Sequence, residues 1–240
     1  MRAIYTRDDL SPSIDGILSF SDDRSHHLIK AVRVKKGDEV LLLDGEGGRY
    51  TSEVINCTKR EVSLKVLAFE KIEKYTHIDL AIGLPKREAF ESSLKNATQV
   101  GISEIFPFQA DYSNWSIKNF DRVNSVIESS LIQSNNPYFP VVHHETASLD
   151  ALFEIFHQYD YIFLTTLSHS NGMDIESIDS IKDKRILIII GPEGGLSTRE
   201  EELMLKENNV MGLKLATPIL KTESAVLTIV GYVLGKFDVK

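Results

Sequence analysis

The chain has 240 residues, 42% of them hydrophobic, and its 27 basic and 35 acidic side chains give a formal net charge of -8. That is apolar material enough for one large core or two smaller ones, while the negative balance argues against a protein that coats nucleic acid indiscriminately, since such affinity comes from lysine and arginine neutralising phosphates. A single cysteine, Cys57, excludes a disulfide framework and any cysteine-based zinc cluster.

The opening "MRAIYTRDDL" lacks the apolar core of a signal peptide, and "AVLTIVGYVLG" at 225–235 is too short to span a bilayer, so a cytoplasmic protein with no membrane partner is expected. Residues 1–76 carry 13 basic and 13 acidic side chains, whereas residues 77–240 carry 14 and 22. The N-terminal part is therefore the better partner for a polyanion.

In chain order, "RAIY", "GILSF", "DEVLLLD", "RYTSEVINC" and "EVSLKVLAF" read as short strands separated by the turn signals "KKGD" and "DGEGG". Their spacing predicts a small barrel over residues 1–70. One helix interrupts it, "SDDRSHHLIKAVRV", with Ser21 as the expected N-cap and Leu28, Ala31 and Val32 on its apolar face. Lys30, Arg33 and Lys35 gather at its end, either as a solvated helix terminus or as an edge that meets phosphates.

From residue 76 onward strands alternate with helices, which predicts a parallel sheet with helices packed on it. "HIDLAIGL" is followed by the helix "KREAFESSLKNATQVG", with the stripe Phe90, Leu94, Ala97 and Val100 and with Gly101 as its stop. Then come "EIFPF", a helix through Val123, Ile127 and Leu131, the strand "YFPVV", the helix "LDALFEIF", and "YIFLTT". "RILIII", the helix "TREEELMLKENN", "VMGLKL" and a last helix from about Glu223 complete the order.

Two segments stand where chemistry is expected. The uniformly apolar "RILIII" suits a central parallel strand, and "GPEGG" follows it, its glycines allowing close backbone approach and its proline stiffening the turn. Ser197 and Glu200 form a capping box for the next helix. Glu193 among the glycines disfavours a phosphate and suits a cationic or ribose-bearing ligand. In "LKLATPILKTESAVL", Thr222 is placed to cap the last helix, and Lys221 beside it is either a tolerated surface lysine or a cation held near a substrate. The histidine pairs 26–27 and 143–144 have no evident ligand set, so no metal is expected.

"IGPEGGLSTREE" followed some twenty residues later by "LATPILKTESAVL" resembles the paired signature of the RsmE family, which methylates N3 of a uridine in 16S ribosomal RNA with S-adenosylmethionine. "HHLIKAVRVKKGDEVLLLDGEGGRY" is similar to that family's N-terminal barrel and "LPKREAFESSLKNATQVGISEIFPF" to the start of its methyltransferase domain. The resemblance implies an α/β fold: a PUA-like RNA-binding β-barrel at 1–70, then a SPOUT methyltransferase domain at 76–240 with a C-terminal trefoil knot, in a homodimer. The knot comes from the resemblance alone, since generic fold rules disfavour one.

The same resemblance places S-adenosylmethionine against Leu164, Gly191, Glu193, Gly194, Gly195, Leu215, Ile219, Leu220 and Thr222. It also makes Lys221 and Glu223 the catalytic candidates. Lys30, Arg33 and Lys35, joined by Lys86 and Arg87, are the candidates for contact with 16S rRNA or the small ribosomal subunit. The chain departs from the family pattern at several positions. Lys221 stands where the family has arginine, Ala216 where it has glycine, Gln99 and Asn96 where it has an acid and a lysine, and Ile132 and Asn136 where it has glutamate and arginine. Ammonium or amide does not reproduce a bidentate guanidinium, which leaves two alternatives open: a catalytically weakened RNA- or cofactor-binding member of the same fold, and a small-molecule enzyme with a fused barrel.

Overall fold

A computed structural model of the chain describes residues 2–7, 14–74, 77–144, 148–166, 175 and 178–237. It divides into two compact units, Met1–Lys74 with Glu128–Phe139, and Tyr75–Ile127 with Pro140–Lys240.

The first unit is built on five strands: β1 (Ala3–Tyr5), β2 (Ile17–Phe20), β3 (Glu39–Leu43), β4 (Gly48–Cys57) and β5 (Val62–Lys71), in the order β1-β3-β4-β5-β2. β1 lies parallel to β3 and the other neighbours are antiparallel. β4 shows the cause: Tyr50, Ser52 and Val54 point inward and the residues between them outward, the two-residue period of a half-buried strand. Ile4 of β1 and Phe20 of β2 share one core with Leu42, Tyr50, Val54 and Leu64, so the sheet curls until its two end strands enclose the same cluster.

The helix of this unit differs from expectation in three ways. Its N-cap is Asp22, whose carboxylate accepts the Arg24 N–H at 3.0 Å, and not Ser21. After α1 (Asp23–His26) the chain winds as a π-helix over His27–Val32. The wider turn rotates Ala31 out to solvent, leaving Leu28 buried with Ile29 and Val32 beside it. The winding stops at Arg33, which takes a left-handed φ of 60°.

Residues 128–139 belong to this unit, although their sequence reads as part of the second. The Phe139 ring lies 5.1 Å from that of Tyr5, the Arg49 guanidinium donates to the Asn135 carbonyl at 2.9 Å, and the Gly47 N–H donates to Pro137 at 2.9 Å. Ile132 packs with Leu131, Leu43 and Tyr5, which accounts for an apolar residue there. With Tyr138 and Phe139 so engaged, the predicted strand "YFPVV" shrinks to two residues.

The second unit runs β6 (His77–Gly83), α2 (Arg87–Gln99), β7 (Glu104–Phe108), the start of α3 (Phe120–Ser134), β8 (Val141–Val142), α4 (Leu149–Phe156), β9 (Tyr161–Thr165), β10 (Arg185–Ile190), α5 (Thr198–Met204), β11 (Val210–Leu213) and α6 (Thr222–Lys236). Its six strands are all parallel, ordered β11-β9-β10-β6-β7-β8. β10 enters between β9 and β6, and Ile186 to Ile190 are buried, as an unbroken apolar run requires. α2 ends in a Schellman motif: Gly101, at φ +81°, donates to Thr98 at 3.3 Å and Ile102 donates to Ala97 at 3.0 Å.

The amino ends of the strands are locked by charge. Buried Asp79 accepts from the Tyr159 hydroxyl at 2.9 Å, the Arg185 guanidinium at 3.2 Å and the Glu104 N–H at 3.0 Å. Burial pushes the Asp79 carboxyl up, and burial with the neighbouring Asp79 charge pushes the Tyr159 hydroxyl far above its usual value. The carboxyl ends are left for function.

Candidate functional site

β9, β10 and β11 end level with one another, with Leu213 opposite Thr165 and Ile189 opposite Leu164. Beyond those ends lies a cavity of about 390 Å³, lined by Thr165 and Thr166, by residues 190–196, by Thr198 and Glu201 of α5, and by Leu213, Leu215 and residues 217–220, with Thr222, Ala225 and Ile229 of α6. A cavity of this size and place suits a small organic ligand of an open parallel sheet.

The wall begins with "GPEGG". Gly195 donates its N–H to the Pro192 carbonyl at 2.9 Å and takes φ +74°, closing a tight turn. At Gly191 a Cβ would come within 2.9 Å of the Gly195 carbonyl carbon, so the loop folds back on itself only because that position is glycine. Gly194 lines the cavity as well, and its missing Cβ points at the Tyr112 Cβ, 3.0 Å away. The glycine makes room for an aromatic ring that is half-exposed beside the loop.

The helix after the turn is fixed by the capping box read from sequence. The Glu200 N–H donates to Ser197 Oγ at 3.3 Å and the Ser197 N–H to Glu200 Oε2 at 2.8 Å. Glu200 is buried and its second oxygen accepts the Asp111 N–H at 2.9 Å, while Ser197 Oγ donates to Asp111 Oδ2 at 2.6 Å. The box therefore also holds the 110–114 turn that carries Tyr112.

Glu193 lines the cavity and also bonds outside it. Its Oε1 accepts the N–H of Lys86 at 3.0 Å. Lys86 is the N-cap of α2 and offers no side-chain cap of its own, so the loop acid caps a helix 107 residues earlier in sequence. Lys86 and Arg87 are both exposed, and Arg87 is paired with Glu91 at 2.9 Å, as its spacing suggests. Arg122 donates to the other Glu91 oxygen at 2.7 Å, and together the two arginines hold that carboxyl down at about 2.

The second segment closes the floor. Thr222 does not cap α6; that position belongs to Lys221, which makes no side-chain capping bond. Thr222 is the first helical residue, and its hydroxyl donates to the Gly191 carbonyl at 3.3 Å, tying the two loops together. Asn96, where the family has lysine, donates to the Glu223 carbonyl at 2.6 Å and so fixes α6 on α2.

Of the cofactor candidates, Gly191, Glu193, Gly194, Gly195, Leu215, Ile219, Leu220 and Thr222 line the cavity. The Leu164 side chain does not, being wholly buried in the core; the next two residues, Thr165 and Thr166, face the space instead. Lys221 and Glu223 flank the cavity without lining it, and Lys221 is exposed. Lys30, Arg33 and Lys35 are exposed on the first unit. Sequence reading missed Thr166 and Glu201, which are 6% and 8% exposed and joined by a 2.8 Å hydrogen bond from the threonine hydroxyl to the carboxylate. The only hint was the second of three acids in "REEE", which reads as a solvated helix face. Among the described residues no set of three or more histidine, cysteine or acidic side chains is placed to hold a metal.

Residues 72–234 match the RNA methyltransferase domain family and residues 20–67 the RNA methyltransferase PUA domain. The chain is 26% identical over 218 residues to ribosomal RNA small subunit methyltransferase E of Rickettsia conorii, covering 89% of this chain and 87% of that one. It is 28% identical to ribosomal RNA small subunit methyltransferase E 2 of Borreliella burgdorferi, covering 86% of each. Among solved structures, ribosomal RNA small subunit methyltransferase E of Neisseria gonorrhoeae, bound to S-adenosylmethionine, superposes with a TM-score of 0.84 at 20% identity over 99% of this chain and 98% of that one. A methyltransferase from Legionella pneumophila with bound S-adenosylmethionine gives 0.82 at 19% identity over 98% and 97%.

Proposed function

Since the chain belongs to the RNA methyltransferase family, we propose that it transfers a methyl group from S-adenosylmethionine to N3 of a uridine in 16S ribosomal RNA of the small subunit. The observation that carries this reading is the cavity at the ends of β9, β10 and β11, built from the two loops of the family signature and lying within the matched residues. Its size, its mixed apolar and threonine lining and the backbone-exposing "GPEGG" turn fit an adenosine-bearing cofactor.

When bound, S-adenosylmethionine supplies an electrophilic methyl on a good leaving group. What remains for the protein is to position the base and help its imide lose a proton. As N3 lies on the Watson–Crick edge, the uridine must be unpaired or extruded to react. Gly191, Gly194, Gly195 and the 215–220 loop would hold the cofactor, whose methyl would pass to N3 as sulfur leaves neutral and the N3 proton goes to solvent water. Lys221, at the cavity margin and held there by Thr222 on Gly191, would stabilise the negative charge that spreads over the uracil oxygens as the N3 proton leaves. Glu223 positions the same turn through its carbonyl.

RNA is gripped by Lys30, Arg33 and Lys35 on the first unit and by Lys86 and Arg87 at the start of α2. A homodimer is supported by the outer face of α6, where exposed Leu227 lies beside Gly231 and Gly235, both with open space at the Cβ position. The β9, β10, β6 order, with α6 returning to the β10 loop, supports the knot. A cytoplasmic location follows from the substrate.

Mass mapping of modified uridines in small-subunit rRNA, from cells with and without the gene, tests the reading. Loss of one N3-methyluridine on deletion, restored by the purified protein with S-adenosylmethionine, is expected. An unchanged modification map would overturn it.

A further inference from the structure

The charged side chains lining the cavity are Glu193 and Glu201, and among the described residues no lysine, arginine or histidine lines it. The two acids are not equivalent. Glu193 is exposed and bonded to the Lys86 N–H. Glu201 is buried on the first turn of α5, its N–H donating to the Ser197 carbonyl at 3.0 Å, and its Oε2 accepts the Thr166 hydroxyl at 2.8 Å. Thr166 is itself fixed, since its N–H donates to the Leu213 carbonyl at 3.2 Å. Ile190, Leu213, Leu215 and Ile229 supply apolar wall around this pair. A carboxylate in such surroundings acts on a charge in the cavity far more strongly than it would in water.

We infer that the Glu201 carboxylate, oriented by Thr166, is the counter-charge by which the cavity distinguishes the sulfonium of S-adenosylmethionine from the neutral sulfur of its demethylated product. The inference rests on the S-adenosylmethionine reading above and adds a specificity-determining residue to it. Both molecules carry the same amino and carboxylate groups, so those contribute equally to the affinity of each. Only the sulfur changes charge. An anion facing it therefore acts on the ratio of the two affinities, and its attraction ends when the methyl has been transferred, which favours product release.

Calorimetry on the full chain tests this with S-adenosylmethionine, S-adenosylhomocysteine and sinefungin, an unreactive analogue with an amine cation in place of the sulfonium. Glu201→Gln should weaken binding of the two cationic ligands by about tenfold or more, equivalent to ~1.4 kcal/mol. It should leave S-adenosylhomocysteine within about twofold, which also shows that the variant cavity is folded. Thr166→Val should shift the ratio the same way by a smaller factor. Equal loss for all three ligands would mean that the carboxylate meets the shared amino group or only supports the fold, and overturns the inference, as does an unchanged ratio. If the unsubstituted chain binds none of the three, the cofactor reading itself falls and the inference with it.

Discussion

Lys221 illustrates how much can rest on one side chain. It occupies the N-cap of α6, where a positive charge opposes the helix dipole at a cost of roughly 0.3–1 kcal/mol, and it makes no capping bond that would offset this. Held near a uracil, it keeps the charge of the family's arginine but not the planar fork. Lys221→Ala should depress single-turnover methylation at least tenfold, or ~1.4 kcal/mol of barrier, with calorimetric S-adenosylmethionine affinity unchanged, and Lys221→Arg should preserve or raise the rate. Full activity in the alanine variant would return Lys221 to the surface. Glu200 is the second such residue, because one buried carboxylate satisfies the N–H groups of both Ser197 and Asp111. Glu200→Ala leaves both part-exposed N–H groups without it and should cost about 1–3 kcal/mol, from ~0.5–1.5 per hydrogen bond, read as a lower denaturation midpoint. The capping box was legible because its spacing is local. Glu201, one position on, was not, because whether an acid in "REEE" meets solvent or a cavity depends on where β9 and β11 end.

Among elements, α2 and α3 are joined by Glu91, which takes Arg87 from its own helix and Arg122 from the next. With the carboxyl held down at about 2 against an ordinary 4.5, the contribution is fully present above pH 4.5 and is lost as pH falls through about 2. Both arginines are more than half exposed, so screening limits it to ~1 kcal/mol. Acid titration of stability should therefore show a shallower loss between pH 4.5 and 2 in Glu91→Gln than in the parent, while at neutral pH the variant is the less stable by that amount. An identical acid profile would remove the pairs from the account. The strands and helices of both units were readable because β4 alternates strictly and β10 is apolar throughout. What escaped was membership and winding: the 128–139 segment is claimed by Tyr5, Arg49 and Gly47 through interactions that no local period announces, and a π-turn differs from an α-turn by one residue of hydrogen-bond span.

At the scale of the whole molecule, an acidic protein that binds RNA must concentrate its cations, and the first unit carries Lys30, Arg33 and Lys35 exposed within six positions. Replacing all three by alanine should lower affinity for small-subunit rRNA and reduce the log–log salt slope by roughly 2–3, about one for each phosphate no longer neutralised, with cofactor affinity unaltered. A slope that stays the same would move the RNA elsewhere. The order in which the cavity is made has its own consequence. Everything that floors it, from Leu213 to Ile229, is translated after the strands β6 to β10 on which it closes, and the Gly191 carbonyl waits for the Thr222 hydroxyl. The strands β6, β9 and β10 alone leave the cavity without its floor. Binding there would therefore require α6 to have docked first. The stabilisation that a ligand confers by mass action would go only to molecules in which α6 has come home.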